Sequence, residues 1–114
     1  MTRDLKWSHT EKGIARKAFD RALEREFEAV IRTAKEMAGK IEQPVDLWNP
    51  ESYLTQSRRE IDRKYDYRQS VLTEVLGKLV REGRLSKKMR GLGNDKLVCI
   101  RSYAKFLARL DPVA

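Results

Sequence analysis

A long helical pattern limits the possible folds of this chain more than any other feature. Apolar residues recur at steps of three and four between Ile14 and Ile41, which is the period of an amphipathic helix. The capping box Ser8-His9-Thr10-Glu11 precedes the pattern, and Gly39 followed by Pro44 ends it. A helix of about 30 residues is about 45 Å long, whereas a globule of this size has a radius of gyration of about 13 Å. We therefore expect two copies of the chain to pair along this helix.

Shorter helices are predicted for the rest of the chain. Asn49-Pro50-Glu51 combines an N-cap, an N1 proline and a first-turn acid, so a second helix should begin there. A third carries apolar residues from Val71 to Val80 and should stop at Gly83. The last is expected to be capped by Asn94 or Asp95 and to end at Asp111-Pro112. The prediction is an all-α fold: one long N-terminal amphipathic helix followed by three or four shorter helices, dimerising through the long helix and the following segment.

The length and the scarcity of reactive side chains exclude several classes of protein. We expect a single helical domain over residues 1–114, with 1–6 and 111–114 frayed. The single histidine, His9, and the single cysteine, Cys99, exclude the usual zinc clusters and an intrachain disulfide. We therefore expect no metal site and no disulfide scaffold. No cofactor is expected either.

Membrane insertion and secretion are not indicated either. No apolar run approaches the roughly 20 residues that a membrane span needs. The N-terminus lacks the apolar region of a signal peptide. We expect a cytoplasmic protein without a membrane span.

Positive charge is concentrated in the last third of the chain. The net charge is +8, from 25 basic and 17 acidic residues, and residues 71–114 carry ten basic and four acidic side chains. One hypothesis is a basic helical, winged-helix-like regulator that binds nucleic acid through residues 71–90, where a leucine-rich helix runs into Glu82-Gly83. The other is that this charge steers the protein towards an acidic partner, with Lys96 contributing.

Residues 46–68 hold the most unusual side chains. Trp48 precedes the second helix, and Lys64-Tyr65-Asp66-Tyr67-Arg68 places two tyrosines among charges, with a break or kink at Asp66 or Tyr67. These residues could form a solvated helix face with half-buried tyrosines. Alternatively they form a recognition patch, because Trp, Tyr and Arg dominate the energetics of protein interfaces.

The chain resembles the fluorescence recovery protein family over roughly residues 7–100. The resemblance is carried by short motifs along the chain, and the most specific is Glu-Ile-Asp-x-Lys-Tyr-Asp-Tyr-Arg after a tryptophan. They include Trp7-Ser8, Asp46-Leu47-Trp48, Glu60-Ile61-Asp62, Lys64-Tyr65-Asp66-Tyr67-Arg68 and Glu82-Gly83. The resemblance implies an all-helical homodimer without enzymatic activity. It also implies binding to photoactivated orange carotenoid protein, or a related protein, whose return to the inactive orange form ends photoprotective quenching at the phycobilisome.

The same resemblance points to particular residues. Trp48 and Arg58 match a tryptophan and an arginine of the family's functional patch, while Glu51 and Ser52 stand where the family commonly has a His-Asp pair. This difference indicates a divergent member. The role of Trp48 and Arg58 is open between dimer interface and partner contact. The full predicted patch is Trp48, Glu51, Ser52, Tyr53, Arg58, Asp62, Lys64, Tyr65, Tyr67, Arg68 and Lys96.

Overall fold

The computed structural model describes residues 5–86 and 88–110, apart from the side chain of Gln69. Four α-helices and two short 3-10 helices make up its regular structure, and the described residues contain no strand. In chain order these are α1 (His9–Gly39), a 3-10 helix (Pro44–Leu47), α2 (Trp48–Lys64), a 3-10 helix (Gln69–Val71), α3 (Leu72–Arg81) and α4 (Asn94–Leu110). The predicted all-α class, with one long helix before shorter ones, is confirmed. No wing hairpin follows α3 in the described residues, so the winged-helix hypothesis has no structural basis there.

Most of the predicted helix boundaries agree with the structure. The capping box at Ser8 starts α1, which has 31 residues and ends at Gly39. Gly83 adopts a positive φ of 75° just after α3, as a C′ glycine does. The predicted stop at Asp111-Pro112 lies outside the described residues.

Two predicted N-caps are wrong. Helix α2 begins at Trp48, so Asn49 lies in its first turn instead of capping it. The reason is the 3-10 helix that directly precedes α2: its start is stabilised by Asp46, whose carboxylate accepts the backbone N–H groups of Glu42 and Gln43. In α4 the first backbone donors bind the Gly93 carbonyl, so the cap lies before Asn94.

The chain divides into two compact units. The terminal unit comprises the residues up to 22 and from 66 onwards, and the central unit is Leu23–Tyr65. Buried apolar side chains from α1, α3, α4 and the loop before α4 form the core of the terminal unit: Ala15, Phe19, Ala22, Leu72, Val75, Leu76, Leu79, Leu85, Met89, Leu92 and Ile100.

The central unit has almost no core of its own. Ile61 is its only buried residue, although all of its residues are described. Phe27 and Ile31, one helical turn apart on α1, are about half exposed, and so are Leu47 and Leu54. A single copy of the chain therefore leaves these four apolar side chains partly uncovered.

Helices α3 and α4 pack closely at Gly77. A Cβ atom added there would lie 2.9 Å from the carbonyl oxygen of Ile100 and 3.0 Å from the Cβ of Tyr103. Contacts this short with a backbone carbonyl and a Cβ atom, neither of which can rotate away, force the two helices apart.

We expect Gly77→Ala to destabilise the fold by about 1–3 kcal/mol, because the clash outweighs the better helix propensity of alanine. Urea unfolding followed by circular dichroism measures the change. Gly13→Ala is the matched control: the added Cβ meets nothing within 4 Å, so this variant should gain about 0.5–1 kcal/mol. Equal stability gains in both variants would contradict the close packing of α3 and α4.

Candidate functional site

One face of α2 carries five of the eleven residues of the predicted patch. Five of its residues are exposed and, by the helical period, fall within about a third of the helix circumference. They are Trp48, Glu51, Ser52, Arg58 and Asp62. Trp48 is 61% exposed, which is unusual for so large an apolar side chain. We call these five residues the Trp48 patch.

Other residues of α2 either lie on this face or point away from it. Thr55 and Arg59 have the same orientation, and the Thr55 hydroxyl donates to the Glu51 carboxylate at 3.2 Å. Sequence reasoning missed both, although the helical period alone would have found them. Tyr53 is half-buried and points away from the Trp48 patch. The patch is therefore a polar surface about 20 Å long with one large apolar side chain at its start.

At the end of α2 two predicted site residues bind the same carboxylate. The Lys64 ammonium lies 2.7 Å from Glu26 Oε2, and the Tyr65 hydroxyl donates to Glu26 Oε1 at 2.8 Å. The ion pair between Glu26 and Lys64 is nearly buried. These contacts fasten the end of α2 to α1 within the central unit, and no signal in the sequence identified Glu26 as the acceptor.

Tyr67 and Arg68 belong to the terminal unit. The Tyr67 hydroxyl donates to the Lys12 carbonyl at 3.0 Å, its ring meets Phe19 edge-on, and the Arg16 guanidinium lies 4.6 Å from the ring centroid. Burial raises the pKa of Tyr67.

Arg68 is held by Asp66. Its guanidinium donates to Asp66 Oδ2 through Nη2 at 2.6 Å and Nε at 2.8 Å, and these bonds lower the pKa of Asp66. The segment that follows α2 therefore contains a local ion pair between Asp66 and Arg68.

Lys96, the remaining predicted residue, lies in a buried cluster of the terminal unit. Its ammonium is 3.0 Å from Glu11 Oε1 and 3.2 Å from Asp95 Oδ2, and the Lys96 side chain is only 6% exposed. The ammonium also lies 5.7 Å from the ring centroid of Trp7. The structure thus gives Lys96 a role in joining the start of α1 to the start of α4, and its charge is compensated there.

Glu11 is the centre of this cluster. Its carboxylate accepts the backbone N–H of Ser8 at 3.0 Å and that of Gly93 at 2.6 Å, in addition to the Lys96 ammonium. These donors, with the Ser8 N–H as the largest cause, lower the pKa of Glu11 to about 2. The capping box predicted the Ser8 contact but not the contacts with Gly93 and Lys96.

The described residues show no constellation suited to a metal or to membrane insertion. No group of three or more His, Cys, Asp and Glu side chains among them could hold a metal ion. Within the same residues, no helix is both long enough and apolar enough to cross a membrane.

Comparison with known proteins identifies relatives of this chain. The family model described as "Photoprotection regulator fluorescence recovery protein" matches residues 7–104. The curated fluorescence recovery protein of Synechocystis is 37% identical over 110 residues, which cover 96% of this chain and 97% of the relative.

Solved structures show the same similarity. The Fremyella diplosiphon fluorescence recovery protein superposes with a TM-score of 0.82 at 39% identity, and the Synechocystis protein with 0.83 at 36% identity. Each comparison covers 88% of this chain and 99% of the solved one. The chain belongs to the fluorescence recovery protein family of photoprotection regulators.

Proposed function

We propose that this regulator binds photoactivated orange carotenoid protein, or a related protein, and accelerates its return to the inactive orange form, which ends photoprotective quenching at the phycobilisome. The observation that carries the proposal is the exposed Trp48 patch on α2, in a chain that matches the family model over residues 7–104. Glu51 and Ser52 replace a His-Asp pair common in the family, so the partner surface is expected to differ in detail.

The mechanism needs no catalytic residue. A protein can speed a conformational change in its partner only if it binds the transition state for recovery more tightly than the photoactivated form. Trp48 would supply apolar contact area and Arg58 a charged anchor. The activity is therefore expected to be non-enzymatic and to require no cofactor.

The proposed active form is a homodimer. In its support, Ile61 is the sole buried residue of the central unit, and Phe27 and Ile31 form an exposed apolar stripe on α1. A segment this short rarely keeps a stable fold without a partner that covers its apolar side. A second copy packed along α1 and the segment after it would provide that cover.

Direct binding tests the proposed partner. The protein is mixed with dark-adapted or continuously illuminated orange carotenoid protein, and complexes are separated by size-exclusion chromatography. We expect a complex with the illuminated form. The proposal fails if neither form is bound at about 100 μM, a concentration at which weak regulatory interactions are still detected.

Trp48→Ala should weaken binding to the illuminated partner about 30-fold or more, since an aromatic anchor of an interface is typically worth at least about 2 kcal/mol. Fluorescence anisotropy of a labelled partner measures the affinity. Trp48→Phe, which keeps most of the apolar area, should stay within about threefold of the parent.

The oligomeric state of the Trp48→Ala variant is measured in parallel. We expect it to remain a dimer, because the proposal assigns this side chain to the partner and not to the dimer interface. A shift to monomer that accompanies the loss of binding would instead assign Trp48 to the dimer interface.

A further inference from the structure

The two units differ sharply in charge. Residues 23–65, the central unit, carry eight basic and nine acidic side chains, a net charge of −1. Since the whole chain has a net charge of +8, the terminal unit has a net charge of +9. On α4 the residues from 96 to 110 include no acid. Arg101, Lys105 and Arg109 are exposed and follow each other at four-residue steps, so they form one basic stripe along the helix.

Beside this stripe lies exposed apolar surface. Phe106 and Leu110 are 49% and 66% exposed, four residues apart, and they lie next to the stripe around the helix. Leu110 also lines a groove of about 280 Å³ between α3 and α4, together with Leu107, Lys78, Arg81 and Glu82. The groove therefore has an apolar wall from α4, two cations on α3 and one carboxylate directly after α3.

We propose that this groove and the adjoining basic stripe bind an acidic amphipathic segment of a partner protein. Carboxylates of such a segment would meet Arg101, Lys105 and Arg109, while its apolar side chains would cover Phe106 and Leu110. Arginine and aromatic residues are the types enriched at protein interfaces. The surface contains no residue of the Trp48 patch, so it is a second binding surface of the chain.

Other occupants fit the surface less well. A nucleic acid backbone would satisfy the cations but leave Phe106 and Leu110 exposed to water. A second copy of the chain would bring together two terminal units of charge +9, which repel each other at moderate ionic strength. An acidic segment with an apolar side complements both features.

The test uses a fluorescent helical peptide of about four turns with Glu along one face and Leu along the other. Its anisotropy is measured against the full chain and its variants, and circular dichroism verifies that each variant keeps its helices. Lys105→Glu/Arg109→Glu reverses two exposed cations of the stripe and should weaken peptide binding at least about tenfold. Leu110→Ser should weaken it about threefold or more, because the apolar contact is lost.

The control is Lys17→Glu/Arg21→Glu, which makes the same charge change at exposed positions of α1 in the same unit. It should alter the affinity by less than about threefold. Equal weakening by the two double variants would overturn the proposal, because binding would then follow net charge alone. Failure of the peptide to bind, its displacement by an equimolar DNA oligonucleotide, or dissociation of a dimer in the stripe variant would each overturn it as well.

Discussion

Replacing Glu11 with alanine should lower the midpoint of thermal unfolding by about 10 °C or more. The substitution removes the acceptor of the Ser8 and Gly93 backbone N–H groups and leaves the nearly buried Lys96 ammonium with only Asp95 as its acidic partner. Removing one partner of a nearly buried ion pair destabilises the fold by more than the intact pair stabilises it, because the remaining charge stays desolvated. Circular dichroism during heating measures the midpoint.

Glu24→Ala provides the control for this prediction, since Glu24 is exposed on the same helix. It should shift the midpoint by less than about 2 °C. If Glu11→Ala unfolds at the same temperature as Glu24→Ala, the cluster around Glu11 does not hold α1 and α4 together.

The pH dependence of stability tests the same carboxylate. The pKa of Glu11 is lowered from 4.5 to about 2 by the Ser8 N–H first and then by Lys96 and Gly93. A carboxyl group whose pKa is lower in the folded state than in the unfolded state stabilises the fold at pH values above its unfolded-state pKa. This stabilisation is lost as the pH falls towards the folded-state pKa. The difference in midpoint between the parent and Glu11→Gln should be largest at neutral pH and shrink below pH of about 4.5. A constant difference would contradict the ionic role of Glu11.

Ile31→Glu should convert the protein from a dimer to a monomer of 13.3 kDa. Ile31 is 53% exposed in the single copy, so the substitution removes only part of a side chain's packing within one chain, and glutamate is a good helix former. Across a dimer interface it would place a charge against the apolar stripe of the other copy, at a cost of several kcal/mol. Sedimentation velocity at about 10 μM distinguishes the two states.

Lys17→Gln serves as its control, because it makes the charge one unit more negative at an exposed position of the terminal unit. This variant should remain a dimer. The homodimer proposal would be wrong if the parent already sediments as a monomer, or if Ile31→Glu retains the dimeric mass.

Local signals in the sequence predicted much of the fold. The capping box at Ser8 and the glycine at Gly39 gave the bounds of α1, and Gly83 gave the end of α3. Each of these signals acts through backbone groups within a few residues, so it can be interpreted without the rest of the chain. The start of α2 was misplaced because Pro44 and Asp46 begin a 3-10 helix directly before it, which competes with the cap at Asn49.

Long-range polar contacts were beyond sequence reasoning. Glu26 lies 38 residues from Lys64, and Glu11 lies 82 residues from Gly93, so no periodicity relates the partners. Lys96 was predicted from composition to present charge to a partner, whereas its ammonium is nearly buried against Glu11. The residues of the Trp48 patch were predicted from the family resemblance and from residue type, and the helical period explains why they share one face of α2.

The rate of dark recovery tests the central claim most directly. Photoactivated orange carotenoid protein is returned to darkness with increasing amounts of this protein, and the loss of its photoactivated absorbance is followed in time. The proposed function predicts a recovery rate that rises with the concentration of the added protein until the complex is saturated. A rate that stays unchanged at stoichiometric excess would contradict it.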